Sequence, residues 1–226
     1  GEVDKIRQSC HLVGQAFHDL RTRLKVGMTE AQACQELASL IVRNGAHAIP
    51  YMSCGSGPGG YEEIISRGSD RALLSGDVLM IDVGATVDGY FCDFDRNYAF
   101  SPLDSAAAAA HHTVWQATEA GIKAAHAGTK VSDLYRTMLR VLQKGGMLGN
   151  SAGRLGHGLG LQLTELPSHS EHDTAVLEPG MVITIEPGME YAPGKMIVHE
   201  ENVVITADGY PELLTERAPI DMWLVS

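Results

Sequence analysis

Two acidic residues occupy equivalent positions in a motif that occurs twice in the chain. Residues 74–84 read LSGDVLMIDVG, residues 177–188 read LEPGMVITIEPG, and alignment of their glycines places Asp82 on Glu186. Each acid follows a run of apolar strand-forming residues, so we expect both carboxylates at the ends of buried strands. A buried carboxylate without a partner is costly, and each of these acids therefore needs a cation.

Two further acids have similar neighbours. Asp93 lies in FCDFDR and Glu200 lies in IVHEENV, next to apolar residues typical of strands. For any single acid, an ion pair with an arginine such as Arg96 is an equally good explanation. Four acids at related positions in the two copies of a motif are more simply explained by a shared cation site.

A histidine supplies a fifth candidate ligand. His157 lies between glycines in GHGLG, which leaves its imidazole unshielded by neighbouring side chains. Four carboxylates and one imidazole suit two hard or borderline divalent ions, such as Mn²⁺, Co²⁺ or Zn²⁺, about 3.5–4 Å apart. A water molecule between such ions has a lowered pKa, so the pattern predicts a hydrolytic nucleophile.

Apolar periodicity predicts the elements that position these residues. Strands are expected at 78–81 and 90–100, on either side of a turn at Asp88-Gly89, so Asp82 and Asp93 lie on two arms of one hairpin and can face each other. The last third of the chain again indicates short strands, interrupted at two Pro-Gly pairs. Apolar residues at steps of three and four predict helices at 4–25, 29–44, 105–127 and 131–144.

The order helix, helix, strand hairpin occurs twice, in residues roughly 1–104 and 105–226. We therefore predict one catalytic domain built from two half-domains that face each other across a pseudo-twofold axis, with acids from both halves at its centre. Segment 50–60 is rich in glycine and is interpreted as a long loop.

Composition excludes several classes of partner. The 226 residues carry a formal net charge of −11, which gives no electrostatic footprint for nucleic acid or anionic lipid. The sequence contains no apolar run of about 18 residues, and its charged beginning is unlike a signal peptide. The four cysteines show no paired spacing and are expected to be free thiols. We therefore predict a cytoplasmic protein that binds neither nucleic acid nor membranes.

The motifs closely resemble the catalytic domain of the pita-bread metallopeptidases, the family of aminopeptidase P, prolidase and methionine aminopeptidase. The resemblance rests on IDVG at 81–84, DFDR at 93–96, GHGLGL at 156–161, TIEPG at 184–188, and Glu200 ahead of VVITADG at 203–209. It implies an α+β pita-bread fold around a curved antiparallel sheet. The implied metal ligands are Asp82, Asp93, His157, Glu186 and Glu200.

The resemblance also implies chemistry and assembly. Glu186 would act as general base, and Asp93 and Glu200 would bridge the ions or nearly so. The residues after Glu200 are more similar to the aminopeptidase P and prolidase branch, which implies Xaa-Pro-type aminopeptidase or dipeptidase activity. Relatives in that branch carry an additional N-terminal domain that assists dimer formation. Because this chain begins with glycine and an immediate helix, we expect such a domain to be missing upstream, and we expect a homodimer.

The substrate-binding positions depart from that branch. Thr164-Glu165 replaces a histidine followed by an acid, Gly153 replaces another histidine, Val198 replaces an arginine, and Ile65 replaces a proton-handling histidine. Thr164, Glu165 and His169 are the expected substrate-binding residues. Two alternatives stay open: hydrolysis of a small non-peptide amide, as in ectoine-hydrolase-like or creatinase-like relatives, and a non-catalytic peptide-binding pseudo-enzyme.

Overall fold

The computed structural model describes residues 1–150 and 152–225. This part of the chain contains four helices and eleven strands. Each half begins with two helices, which are followed by strands. The helices are α1 (Glu2–Leu20), α2 (Glu30–Asn44), α3 (Ser105–Ala124) and α4 (Val131–Lys144). The strands are β1 (Ala48–Pro58), β2 (Asp77–Val87), β3 (Tyr90–Phe100), β4 (His157–Gly158), β5 (Glu165–Ser168), β6 (Val182–Ile185), β7 (Gly188–Ala192), β8 (Lys195–Val198), β9 (Glu201–Ile205), β10 (Pro211–Leu213) and β11 (Trp223–Val225).

The strands form two main sheets and one hairpin. The first sheet has the order β1-β2-β3-β11, and the second has the order β10-β9-β6-β4-β5, while β7 pairs with β8 alone. All pairs are antiparallel except β11, which runs parallel to β3. Helices α1 and α2 share one apolar core with the first sheet, and α3 and α4 share another with the second sheet. The internal duplication of residues 1–104 and 105–226 stays a prediction.

Local sequence explains where the helices begin and end. Thr29 caps α2, because its hydroxyl accepts from the Gln32 N–H while the Gln32 side chain accepts from the Thr29 N–H. Helix α1 ends at Leu20 although periodicity predicted it to residue 25. The Thr22 N–H and hydroxyl both donate to the Asp19 carbonyl, so the chain leaves the helix in a tight turn. None of the described helices is both long and apolar enough to span a membrane.

The interpretation of segment 50–60 as a loop is wrong. Most of it belongs to β1, which pairs with β2 from Tyr51 opposite Gly84 to Pro58 opposite Asp77. The glycines of β1 leave space for the segment that follows the strand and folds back directly over it. A Cβ on Gly57 would lie 2.4 Å from the Gly60 carbonyl oxygen, where no side chain fits.

Two buried side chains join the two sheets at the centre of the molecule. The Asn202 amide on β9 accepts from the Asp93 N–H at 2.9 Å and donates to the Asp93 carbonyl. The Arg96 guanidinium on β3 donates to the carbonyl oxygens of Asp95 at 2.7 Å and Glu200 at 3.1 Å. The backbones that carry the candidate acids are therefore fixed relative to each other.

Candidate metal centre

The β2–β3 hairpin brings three acids to one face of the first sheet. Asp82 pairs with Asp95, and Gly84 pairs with Asp93, so the three carboxylates project to the same side. The hairpin turns where it was expected, with left-handed φ values of 50° at Asp88 and 83° at Gly89.

The second half contributes three further polar groups to the same place. His157 lies on β4, Glu186 follows β6, and Glu200 precedes β9. Together with the hairpin acids they line a cavity of about 320 Å³. The cavity is lined by Tyr51, Ile64, Ile65, Asp82, Asp93, Asp95, Ala152, Arg154, His157, Leu163, Thr164, Glu186, Val198 and Glu200.

Three of these residues have the geometry of a metal site. One ligand atom each from Asp93, His157 and Glu200 lies within 4.8 Å of the other two, and all three residues are buried. The His157 Nε2 lies 3.4 Å from Asp93 Oδ2, while Nδ1 lies 2.9 Å from the Gly158 carbonyl oxygen. Because a carbonyl only accepts, Nδ1 carries the proton and Nε2 presents its lone pair to the acids.

Four carboxylates in the cavity each have one oxygen without a hydrogen-bond partner among the described residues. Asp82 Oδ1, Asp93 Oδ1, Asp95 Oδ1 and Glu200 Oε1 are buried and receive no hydrogen bond from any described residue. Burial raises the pKa of Asp82, Asp93 and Glu200 well above the ordinary value, and neighbouring carboxylates raise each pKa further. Unpaired oxygens around one imidazole nitrogen are the donor set that a divalent cation takes, so the residues present fit a metal ion.

Glycines allow the strand that carries His157 to lie between its neighbours. A Cβ on Gly156 would lie 2.3 Å from the Thr184 carbonyl oxygen on β6, and one on Gly158 would lie 2.3 Å from the Leu166 carbonyl oxygen on β5. The glycines that bracket the histidine in the sequence are therefore required by the close approach of backbone on both sides.

Sequence reasoning missed Asp95, which is 1% exposed and lies opposite Asp82. Its Oδ2 accepts from the Asn97 amide at 2.8 Å, and Asn97 Oδ1 accepts from the Tyr61 hydroxyl at 3.1 Å. Tyr61 in turn accepts from the Val198 N–H at 2.7 Å. The signal was present in the sequence, because residues two apart on a strand share a face and Asp93 was already a candidate.

Arg154 was also missed. Its side chain is 34% exposed, and its Nε lies 3.6 Å from Glu186 Oε1. Among the described lining residues it is the only lysine or arginine. The family resemblance marked Gly153 as a substrate-binding position, but no pattern in this segment singled out Arg154 next to it.

The structure separates the expected substrate-binding residues. Thr164 lies at the cavity rim, together with Ile65, whereas neither Glu165 nor His169 lines the cavity. Glu165 begins β5, and its side chain lies outside the cavity, where its Oε1 accepts from the Gln162 N–H at 2.9 Å. His169 is fully buried against Gly156, and burial lowers the pKa of its imidazole to about 3.

The chain is similar to known proteins along nearly its whole length. A family model described as metallopeptidase family M24 matches residues 4–207. The probable dipeptidase PepE of Mycobacterium tuberculosis is 32% identical over 210 residues, which cover 92% of this chain and 56% of that protein.

Solved structures give the same result. The X-Pro aminopeptidase from Thermotoga maritima superposes with a TM-score of 0.90 and 30% identity, over 100% of this chain and 63% of that one. Dipeptidase PepE from Mycobacterium ulcerans superposes with a TM-score of 0.92 and 29% identity, over 99% of this chain and 60% of that one. These similarities confirm the fold that the motifs predicted. This chain spans between 56% and 63% of the length of the three proteins.

Proposed function

Since the chain belongs to metallopeptidase family M24, we propose that it hydrolyses an amide bond with two divalent metal ions, as an Xaa-Pro-type aminopeptidase or dipeptidase. The observation that carries the proposal is the buried cluster of Asp93, His157 and Glu200, whose carboxylates include oxygens without hydrogen-bond partners. Such a cluster is costly without a cation, and folding tolerates it where a bound metal ion compensates the charge.

Five residues would hold the metal ions in this proposal. They provide carboxylate oxygens and one imidazole nitrogen, which suits Mn²⁺, Co²⁺ or Zn²⁺. Bound ions would supply a Lewis acid for the substrate carbonyl and a water molecule acidic enough to attack at neutral pH. The five ligands proposed are Asp82, Asp93, His157, Glu186 and Glu200.

Glu186 would be the general base. Its carboxylate is 19% exposed, so it is reached from the cavity and is less enclosed than the acids below it. In this role it takes a proton from the attacking water and delivers it to the leaving amine. The mostly apolar wall of Ile64, Leu163 and Val198 limits the access of other water molecules.

The relatives support a peptide substrate. One is named a probable dipeptidase and another an X-Pro aminopeptidase. Both names describe cleavage of a peptide bond close to a chain end, which fits a cavity of about 320 Å³ at the small end of the range for ligand sites.

A small non-peptide amide is the second candidate substrate. Ile65, Thr164 and Val198 line the cavity where the aminopeptidase P and prolidase branch carries histidines and arginine. Apolar and hydroxyl side chains there recognise a peptide's charged ends less well than histidine and arginine do, so a neutral amide is favoured by this observation.

The test is hydrolysis after metal loading. Protein loaded with Mn²⁺ or Co²⁺ is incubated with Gly-Pro and with an Xaa-Pro-Yaa peptide, next to a Glu186→Gln control. We expect cleavage by the wild type and a decrease in kcat of about 100-fold or more in the control. Metal binding without peptide cleavage would favour the small amides, and absence of metal would leave the peptide-binding pseudo-enzyme.

A further inference from the structure

Arg154 lies where it could recognise part of the substrate. Its Nε is 3.6 Å from Glu186 Oε1, its side chain is 34% exposed, and it lines the cavity. A separation of 3.6 Å is an ion pair rather than a hydrogen bond. The guanidinium donates no hydrogen bond to any described residue, so its planar fork is not committed to Glu186.

The other charges in the cavity make Arg154 distinctive. The remaining ionisable groups along the described lining are five carboxylates, one imidazole and one tyrosine hydroxyl. The walls near the entrance are formed by aliphatic side chains and by Thr164. A carboxylate on a substrate therefore finds one cationic side chain in this lining, and arginine binds carboxylates through two parallel hydrogen bonds.

The distance to Glu186 limits which carboxylate is reached. If Glu186 handles the proton at the cleaved bond, a group held by Arg154 lies within about one residue of that bond. The carboxylate at the end of a dipeptide meets this condition, whereas the carboxylate of a longer peptide lies further away. The small volume of the cavity leads to the same restriction.

We propose that Arg154 binds the free carboxylate of the substrate, and that the preferred substrates are dipeptides with apolar side chains. This inference rests on the proposed amide hydrolysis at the same site. The aminopeptidase P and prolidase branch carries histidines and arginine at positions where this chain has Gly153, Thr164 and Val198. In this proposal, Arg154 supplies the carboxylate recognition instead.

The experiment compares one dipeptide with its amide. The metal-loaded wild type, Arg154→Gln, Arg154→Lys and Arg43→Gln are assayed with Leu-Pro and with Leu-Pro amide, which lacks only the terminal negative charge. Arg43 is exposed on α2 outside the cavity, so its variant controls for the loss of one positive charge from an acidic protein. Binding of both compounds to the metal-free proteins, which do not consume them, is also measured by calorimetry.

We expect the wild type and Arg43→Gln to prefer Leu-Pro. Arg154→Gln should lower kcat/KM for Leu-Pro by about 30- to 100-fold, and for the amide by less than about threefold. Arg154→Lys should recover part of the loss, because lysine retains the positive charge but does not form two parallel hydrogen bonds to a carboxylate. Calorimetry should give the same preference in binding.

Two results would overturn the inference. One is an equal loss on both compounds in Arg154→Gln, which means that Arg154 acts on Glu186 or on the fold. The other is a wild type that binds the amide as tightly as the dipeptide. If the wild type cleaves neither compound but binds Leu-Pro in an Arg154-dependent way, the proposed hydrolysis fails while carboxylate recognition stands.

Discussion

Glu200 and Glu201 are consecutive buried acids that lie in opposite environments. Glu200 is 2% exposed and faces the cavity, where its Oε1 receives no hydrogen bond from a described residue. Glu201 is 0% exposed and accepts hydrogen bonds from Arg96 and Arg217, both at 3.1 Å, and from the Thr215 hydroxyl and the Ala218 N–H. Alternation along the strand sends the two side chains to opposite faces.

The fold separates two uses of buried charge. On the Glu201 face, protein cations balance the acid, and the network ties β3, β9 and the segment before β11 together. On the Glu200 face, the acids of both halves meet with Arg154 as the one described lysine or arginine, at the rim. A cation from outside the chain is needed there. The first face serves stability, and the second is the proposed metal site.

The largest expected effect is on the Glu201 face. Glu201→Gln removes the charge that balances two arginines, and loss of one partner of a buried pair costs about 3–5 kcal/mol. We expect urea denaturation to give a free energy of unfolding lower by about that amount, while the folded protein still binds metal. A variant that folds as stably as the wild type would remove the distinction between the faces.

Glu200→Gln should weaken metal binding without lowering the stability of the metal-free protein. It removes a proposed metal ligand, and even outer-shell partners of a metal cost about 10- to 100-fold in affinity, so we expect metal binding weaker by more than about 100-fold. The metal-free variant should be at least as stable as the metal-free wild type, because one repelling carboxylate is gone. Calorimetric titration with Mn²⁺ and urea denaturation with chelator measure the two effects. Unchanged affinity would contradict the assignment of Glu200.

Metal removal should have a pH-dependent effect. The folded-state pKa of Asp82, Asp93 and Glu200 is raised, so the metal-free fold binds more protons than the unfolded chain, and its stability falls as pH rises through those raised values. Bound ions remove this loss. The stabilisation by Mn²⁺ over chelator should therefore increase from pH 5 to pH 7.5, by up to about 1.4 kcal/mol per pH unit for each proton.

Two buried histidines change the stability with pH in the opposite direction, but they do not obscure this test. Burial lowers the pKa of His111 to about 4 and that of His169 to about 3, so both destabilise the fold as pH falls below their ordinary value. They do so in metal-free and metal-loaded protein alike, so the contribution of these two histidines cancels in the difference between the two profiles. A difference that stays constant with pH would contradict the raised carboxylate pKa values.

The smallest effect is expected at Tyr61, which supports the cavity face from behind. Tyr61→Phe removes the hydroxyl that joins Asn97 to the Val198 N–H, and an unsatisfied buried group costs about 1–2 kcal/mol. We expect a loss of that size in unfolding free energy. Because this chain of hydrogen bonds positions Asp95 opposite the proposed ligand Asp82, we also expect Mn²⁺ binding to be a few-fold weaker. A variant with wild-type values for both would mean that this chain of hydrogen bonds does not position the acid.

The cavity face was largely predictable from the sequence, and the Glu201 face was not. A repeated motif brought out Asp82 and Glu186, and the structure places both in one cavity with Asp93, His157 and Glu200; their role as ligands stays a prediction. Partners of Glu201 come from distant segments without a shared pattern, so only the fold brings them together.

The differences between expectation and structure have physical causes of the same kind. Segment 50–60 was interpreted as a long loop because of its glycines, whereas most of it is strand β1 and the glycines leave space for the chain that folds back over the strand. Glu165 and His169 adjoin the histidine motif in sequence, but strand alternation and burial direct them away from the cavity. Proximity in sequence indicated the region and did not determine the direction of each side chain.

The acids that face the cavity are proposed to bind divalent ions. Elemental analysis after equilibration with Mn²⁺ and removal of free metal tests this proposal directly, with Glu200→Gln and Glu201→Gln as a matched pair of neighbouring substitutions. We expect about two ions per chain in the wild type and in Glu201→Gln, and fewer in Glu200→Gln. A wild type without bound ions, or equal metal content in both variants, would contradict the proposal.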